Sequence, residues 1–241
     1  MNRLENEIEH GKKIKANAED VWNWDSPAGR VRADRRAALM CKHGNIKSTD
    51  KILEIGCGTG LFTEKVSKIS GSEDITAVDI SEDLLELARN KNKQFNFVLG
   101  DAMNLEYEDN TFDVAFGSSV IHHLDIEKAF IELFRVLKPG GRIVFAEPNM
   151  INPQILIQKN VPFIKKWLGD SPDETAIIRW KLAKMLASIN YTNINIFPYD
   201  FLHPITPDFL IGTVNSIGKV VEKIPVLKEI AGSVIISAEK P

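Results

Sequence analysis

LEIGCGTG, residues 53–60, stands where an apolar run ends and a stretch of helical periodicity begins. Glycines at such a junction permit a tight turn and let a ligand approach the backbone at the positive end of a helix. The dinucleotide fingerprint G-x-G-x-x-G needs a third glycine where this loop has Leu61. The loop therefore indicates a ligand site at the first strand-to-helix turn, but alone it does not decide the ligand.

Around this loop, short apolar runs alternate strictly with helix-like stretches. This alternation predicts a parallel sheet whose two faces are covered by helices, joined by right-handed crossovers. Ser81 is the expected N-cap of the second helix. We therefore expect a doubly wound α/β fold with strands at 51–55, 75–80, 95–100, 112–119 and 141–148, helices near 61–69, 82–92 and 125–138, and a turn at 138–141 that leads into the fifth strand.

After Pro148 the alternation stops. A segment with proline and asparagine, a helix, a strand and an amphipathic insertion follow, and the last apolar run is expected to close the sheet. We expect one domain over residues 1–241, with a helical N-terminal cap (1–50), a cofactor-binding core (51–149), a helix near 174–188, a strand near 192–198 and a last strand at 233–239. Two insertions (150–172 and 200–231) either form a lid over the acceptor or pack as ordinary core.

Composition places the chain among ordinary globular proteins, since 44% of its 241 residues are hydrophobic and 26% are charged. Residues 51–149 carry 10 basic and 17 acidic side chains, a net charge of −7, which disfavours nucleic acid as a partner. Cys41 and Cys57 are too few for a disulfide framework and lack metal-site spacing. No apolar run approaches the length of a membrane span and no signal peptide is evident, so a cytoplasmic protein is expected.

Polar side chains end the next strands of the predicted sheet, at the edge where open α/β sheets bind ligands. Asp79 is placed to accept both hydroxyls of a ribose, and Asp101 to meet an adenine amino group beside the apolar wall of Ala102 and Met103. Acidic Glu54 precedes the glycines, and no lysine or arginine lies among residues 52–64 around the loop. Such a cradle suits a cation with a ribose better than it suits a pyrophosphate.

Five runs in this order, LEIGCGTG, VDIS, GDAMNL, FDVAFGSSVIHHL and RVLKPGGRIVFAEPN, resemble the class I S-adenosylmethionine-dependent methyltransferases, in the group that acts on small molecules. The resemblance covers about residues 45–150. It implies a Rossmann-like sheet of seven strands, mostly parallel, with an antiparallel last strand that 233–239 would supply.

The resemblance also implies S-adenosylmethionine as cofactor and S-adenosylhomocysteine as product. The glycine loop would receive the methionine part, Asp79 would hold the ribose, and the sulfonium would lie near Ser118 and His122. The residues implied in cofactor binding are Glu54, Gly56, Cys57, Gly58, Gly60, Asp79, Ile80, Leu84, Asp101, Ala102, Met103, Ser118 and His122.

Four residues are candidates for acid-base chemistry, namely His122, His123, Glu147 and His203. Either histidine after the fourth strand is a general base or part of a loop that touches the cofactor. Glu147 either faces the acceptor at the end of the fifth strand or belongs to a structural turn. No cluster of His, Cys and carboxylate surrounds them, so no metal site is predicted.

Two further groups leave alternatives open. Trp22 and Trp24 either contact the sulfonium or pack in a helix. Four arginines of the N-terminal cap either bind an anionic part of a substrate or form a solvated helix face, namely Arg30, Arg32, Arg35 and Arg36.

The predicted function is methyl transfer to a small acceptor, apolar or lipid-like. A non-catalytic module that retains the cofactor pocket is the first alternative, and a nicotinamide-dependent oxidoreductase, disfavoured by the missing third glycine, is the second. The expected partner is a small-molecule acceptor. The sequence predicts no nucleic-acid partner and no transmembrane segment, and it leaves peripheral membrane contact and the oligomeric state open.

Overall fold

A computed structural model describes residues 3–161, 163 and 176–241 of the chain. Its sheet has seven strands in the order β3-β2-β1-β4-β5-β7-β6, and β7 runs antiparallel to both of its neighbours. The predicted doubly wound sheet with an antiparallel last strand is therefore confirmed. The strands are β1 (Ile52–Ile55), β2 (Ile75–Asp79), β3 (Asn96–Leu99), β4 (Phe112–Ser118), β5 (Leu137–Pro148), β6 (Thr192–Tyr199) and β7 (Ser233–Glu239).

Helices precede the sheet and connect its strands. Ser26 caps one of them by accepting a hydrogen bond from Gly29 N, and Ser81 caps another by accepting from Leu84 N, as predicted. The helices are α1 (Arg3–Ile14), α2 (Ala18–Val21), α3 (Pro27–His43), α4 (Leu61–Ser70), α5 (Glu82–Lys91), α6 (Ile126–Val136), α7 (Pro153–Asn160), α8 (Arg179–Ser188) and α9 (Asp208–Val221), with 3₁₀ turns at Lys15–Asn17, Ile121–His123 and Leu227–Ile230.

Two hydrophobic clusters cover the two faces of the sheet. Ile52 belongs to one cluster and Leu53 to the other, because successive side chains of a strand point to opposite faces. All four residues of β1 are buried, as expected of a central parallel strand covered by helices on both sides. This arrangement brings the carboxyl ends of the parallel strands to one edge of the sheet.

Two predicted elements differ from the structure. Residues 138–141 are not a turn before the fifth strand, because β5 already begins at Leu137 and includes them. The register between β5 and β4 is irregular at this point, and Gly140 has φ 75°. The helix expected near 174–188 begins at Arg179, because Ile177 pairs with Asn149 as extended backbone. Most of the expected first insertion beyond α7 lies outside the described residues.

The second insertion packs against the N-terminal cap. Arg32 donates to Asp200 at 2.8 Å, and Arg35 pairs with Glu222 just after α9. The alternative of a solvated arginine face is therefore wrong for these side chains, which tie α3 to the insertion. No helix in the described part of the chain combines the length and the apolarity that crossing a membrane requires.

Candidate functional site

A cavity of about 360 Å³ opens at the carboxyl edge of the parallel strands. Loops after four strands contribute to its wall, and α1 and the segment around Trp22 cover it. This is the place where open α/β sheets bind ligands. The strand-end residues that line the cavity include 56–59 after β1, 79–81 at the end of β2, 100–103 after β3, 118–120 at the end of β4 and Pro148 at the end of β5.

The glycine loop makes a close turn against the end of β4. Gly56 has φ 65° and Gly58 has φ 52°, both in the left-handed region that glycine tolerates. A Cβ on Gly56 would lie 2.2 Å from Cγ2 of Val120, so no larger residue fits there. Gly60, at φ 79°, precedes α4 and is not among the residues that line the cavity.

Asp79 is held by the backbone on two sides. Its carboxylate accepts from Gly58 N at 2.7 Å and from Ser81 N at 2.9 Å. Burial raises the pKa of Asp79, although these hydrogen bonds act in the opposite direction. Because a carboxylate has about four lone-pair sites, two backbone donors leave capacity for ribose hydroxyls. Ile80 and Leu84 line the cavity beside it.

Asp101 combines a turn with a place in the cavity wall. Its Oδ1 accepts from Met103 N at 2.9 Å, and Asp101 and Asn104 form a short bridge. Asp101, Ala102 and Met103 all line the cavity. The structure therefore brings this predicted adenine-binding group to the same wall as Asp79.

Glu54 lies behind the glycine loop and does not line the cavity. Burial raises the pKa of Glu54 to about 8, while a hydrogen bond from the Thr63 hydroxyl lowers it and the nearby Asp79 charge raises it further. Cys57 lines the cavity, and burial raises the pKa of its thiol well above the ordinary value. The raised pKa favours the protonated thiol over the nucleophilic thiolate.

His122 and Glu147 form a buried pair. His122 Nδ1 lies 2.7 Å from Glu147 Oε2, while Oε1 of the same carboxylate accepts from the backbone N–H groups of Val120 and Ile121. Burial would raise the pKa of Glu147, but the hydrogen bond from His122 and its charge, with the two backbone donors, lower it overall. His122 lines the cavity.

Neither alternative for Glu147 is correct, since the structure buries this residue completely behind His122, outside the lining of the cavity. It is part of neither a turn nor an open wall. Its three hydrogen bonds instead fix the loop after β4 and the ring of His122.

His123 faces the N-terminal helix. Its ring centroid lies 4.1 Å from that of His122, and its Nδ1 lies 3.1 Å from Oε2 of Glu7 in α1. Arg3 of the same helix donates to the carbonyl of His122 at 3.2 Å. Both histidines line the cavity, so α1 closes over the acid-base candidates.

His203 lies away from the other candidates. It is within 3.1 Å of Gln154 Nε2 and is not among the residues that line the cavity. Burial lowers the pKa of His203, as does the nearby Arg32 charge. No residue of 200–231 lines the cavity, so the structure places the expected second lid segment beside α3 rather than over the site.

Several site features gave no signal in the sequence. Arg3, Leu4, Glu7 and His10 of α1 line the cavity. Gly11 approaches α5 so closely that a Cβ on it would lie 2.4 Å from Oγ of Ser81. Periodicity predicts a helix here but not what the helix covers. Within the described residues, no group of three His, Cys, Asp or Glu side chains is arranged to hold a metal ion.

Both tryptophans of the cap line the cavity, so neither alternative for them is excluded. Trp24 also packs edge-on against Phe62, with ring centroids 5.3 Å apart, and lies under the guanidinium of Arg36. Core packing and a place in the cavity wall are therefore combined in one residue.

Comparisons with known proteins agree with this geometry. A family model described as "Methyltransferase domain" matches residues 53–145. Demethylmenaquinone methyltransferase of Staphylococcus saprophyticus is 43% identical over 115 residues, 46% of this chain and 49% of the relative. The protein of the same name from Paenarthrobacter aurescens is 29% identical over 196 residues, 73% of this chain and 74% of the relative.

The first of these matches spans about half the length of the relative. Among solved structures, phosphoethanolamine N-methyltransferase 2 of Haemonchus contortus, in complex with phosphomonomethylethanolamine and S-adenosylhomocysteine, superposes with a TM-score of 0.67 at 17% identity, over 97% of this chain and 60% of that one. At this identity the superposition shows a shared fold.

Proposed function

Because this chain belongs to the class I S-adenosylmethionine-dependent methyltransferases, we propose that it transfers a methyl group to a small, apolar, lipid-like acceptor of the quinol type. One observation carries the proposal. A single cavity combines the glycine loop and the carboxylates of Asp79 and Asp101 with a histidine that is held by a buried carboxylate.

The residues of the cavity fit the cofactor. Asp79 and Asp101 offer acceptors for the ribose and the adenine amino group, and the backbone after β1 comes close enough for the methionine part. When bound, S-adenosylmethionine supplies an electrophilic methyl group. We place its sulfonium near Ser118 and His122, the part of the wall that lies between the glycine loop and the end of β5.

His122 is the proposed proton acceptor. Because its Nδ1 shares a hydrogen with Glu147, Nε2 is the ring atom that takes a proton from the acceptor. Glu147 is then a positioning residue, which keeps the tautomer and favours the imidazolium form. Alignment of acceptor and methyl group in a closed cavity contributes the larger share of catalysis, about 7–11 kcal/mol in well-oriented reactions.

The acceptor class rests on the relatives and on the cavity wall. The relatives are named for demethylmenaquinone, a quinone with an apolar chain, and the apolar residues of the wall suit a ring of that kind. The apolar residues of the wall include Leu4, Val21, Leu61, Phe62, Val78, Leu84 and Leu124.

The test combines binding and turnover. Calorimetry with S-adenosylmethionine should show binding, and incubation with a demethylmenaquinol of short side chain should yield S-adenosylhomocysteine and the methylated quinol. Cofactor binding with no product from a panel of quinols and phenols would favour the non-catalytic module. Binding of a nicotinamide cofactor in place of S-adenosylmethionine would favour the oxidoreductase.

A further inference from the structure

Arg36 of α3 is buried, with only 3% of its surface exposed, and its hydrogen bonds all go to neutral hydroxyl groups. In this it differs from its neighbours Arg32 and Arg35, which each pair with a carboxylate. The acceptors for Arg36 are Tyr199 Oη at 3.0 Å, Ser118 Oγ at 3.0 Å, Ser119 Oγ at 2.7 Å and Ser233 Oγ at 3.0 Å.

A buried cation is costly unless negative charge offsets it. The face of Trp24, 5.0 Å from the guanidinium, offsets a small part through its ring quadrupole. Tyr199 supplies no negative charge, because burial raises the pKa of its phenol even though the nearby Arg36 lowers it. The positive charge of Arg36 therefore acts on whatever occupies the space beyond its hydroxyl partners.

Ser118 and Ser119 connect Arg36 to the cavity through hydrogen bonds. Both line the cavity at the end of β4, and both accept from the same guanidinium nitrogen of Arg36. Each hydroxyl also has a hydrogen of its own to donate, and a hydroxyl that accepts from a cation is a stronger donor. Ser119 holds its position at φ 57°, a backbone conformation that favours glycine.

We propose that the hydroxyls of Ser118 and Ser119, polarised by the buried Arg36, form a subsite for an ionised oxygen of the acceptor, so that the acceptor reacts as a phenolate or enolate. This inference rests on the proposed function. A cationic sulfonium and Arg36 together disfavour an amine that is still protonated and favour an anion. The subsite therefore selects oxyanions for methylation on oxygen or on the conjugated carbon.

Methyl transfer follows the same displacement whether oxygen or carbon of the acceptor attacks. The electron pair of the oxyanion, or of the carbon conjugated with it, forms the new bond to the methyl carbon, and the pair of the broken C–S bond stays on sulfur. Methylation on oxygen then leaves a neutral ether and a neutral thioether. Methylation on carbon leaves a ketone, which regains its aromatic ring by losing the proton of that carbon to His122 or to water.

The test compares two probes that differ in charge. 4-Nitro-1-naphthol ionises with a change in absorbance, whereas its methyl ether cannot ionise. Both are titrated at a pH at which the free naphthol is ionised, with and without S-adenosylhomocysteine, and the absorbance of the bound naphthol is then followed over a range of lower pH. We expect the wild type to bind the naphtholate at least about tenfold more tightly than the ether, and to lower the apparent pKa of the bound naphthol.

Ser119→Gly is the test variant, because it removes one hydroxyl at a backbone conformation that glycine adopts without strain. Ser233→Ala is the matched control, since Ser233 also accepts from Arg36 but does not line the cavity. We expect Ser119→Gly to lose most of the preference for the naphtholate and to bind the ether as the wild type does, and Ser233→Ala to retain the preference.

Three results would overturn the inference: equal binding of both probes to the wild type, an undiminished preference in Ser119→Gly, or an equal loss in Ser233→Ala, which would trace the effect to packing around Arg36. Ser118→Ala provides a second variant should Ser119→Gly fail to fold. The proposed function fails separately, if S-adenosylmethionine does not bind or no quinol is methylated while the anion preference persists.

Discussion

Glu147 touches His122 from the side away from the cavity, with 2.7 Å between Oε2 and Nδ1. The two residues lie 25 positions apart, at the ends of the adjacent strands β4 and β5. The same carboxylate also receives two backbone N–H groups of the loop that carries His122. One buried group thus sets both the position of the loop and the tautomer of the ring.

Replacing Glu147 by Gln should therefore slow turnover more than it weakens cofactor binding. The amide oxygen can still accept from the backbone, but the amide nitrogen would face Nδ1, so the ring loses its carboxylate partner. We expect kcat to fall by about 100-fold or more, with the dissociation constant for S-adenosylhomocysteine nearly unchanged, as measured by single-turnover kinetics and calorimetry. His123→Gln, whose ring is near Glu7 instead, is the control and should reduce kcat far less.

Asp79→Asn should weaken cofactor binding. The amide has one oxygen for the N–H groups of Gly58 and Ser81, and its nitrogen would face a second donor. We expect an affinity for S-adenosylmethionine that is lower by about 10- to 100-fold, since a buried donor loses a charged acceptor. The same change at Asp113, at the opposite end of β4, should leave the affinity unchanged. Equal losses at both positions would show that the effect is general destabilisation.

Glu54 makes stability depend on pH. Its pKa is about 8 in the folded protein, above the ordinary 4.5, so the folded state binds this proton more tightly than the unfolded state does. The resulting stabilisation is complete below pH 4.5 and is lost as the pH rises towards 8, at up to about 1.4 kcal/mol per pH unit.

Urea unfolding of the wild type and of Glu54→Gln between pH 5 and 9 would measure this contribution. The amide is neutral and can still accept from Thr63, so we expect the free energy of unfolding of the variant to decline less between these limits. Parallel curves for the two proteins would contradict a raised pKa of Glu54. A difference that is confined to the region above pH 8 would contradict it as well, because Glu54 is then ionised in both states.

The cover that α1 forms over the cavity can be tested through two glycines. A Cβ on Gly11 would collide with Oγ of Ser81 at 2.4 Å, whereas a Cβ on Gly212 in α9 meets nothing within 4 Å. Gly11→Ala should displace α1 and weaken S-adenosylhomocysteine binding by about tenfold. Gly212→Ala should leave the affinity unchanged and raise the free energy of unfolding by about 0.5–1 kcal/mol.

The sequence predicts the sheet well because each strand and helix leaves a local periodic pattern. The strand ends follow from the same pattern, so the site near Asp79 and Asp101 could be located without a structure. The start of β5 is an exception, since the Pro-Gly-Gly run at 139–141 suggests a turn. The pairing of Leu137 with Phe112 of β4 keeps that run within the strand instead.

The parts that were missed depend on contacts between distant positions. Arg36 meets serines that lie 82, 83 and 197 positions away, and no local pattern distinguishes it from Arg32 or Arg35. Glu147 looks accessible because it follows a strand and precedes a change of pattern. The backbone of the neighbouring loop decides whether a strand-end side chain faces the cavity. For Glu147, the N–H groups of Val120 and Ile121 hold the carboxylate against the loop, and a periodic pattern does not encode these contacts.

The place of β7 between β5 and β6 has a consequence for synthesis. While a ribosome has yet to deliver residues 233–239, β5 ends the parallel half of the sheet with an unpaired edge, and β6 has no neighbour to join. Such edges attract strands of other chains. A nascent chain in which β7 has not yet emerged is thus prone to aggregate, and a variant that lacks residues 233–239 would aggregate rather than merely lose a segment.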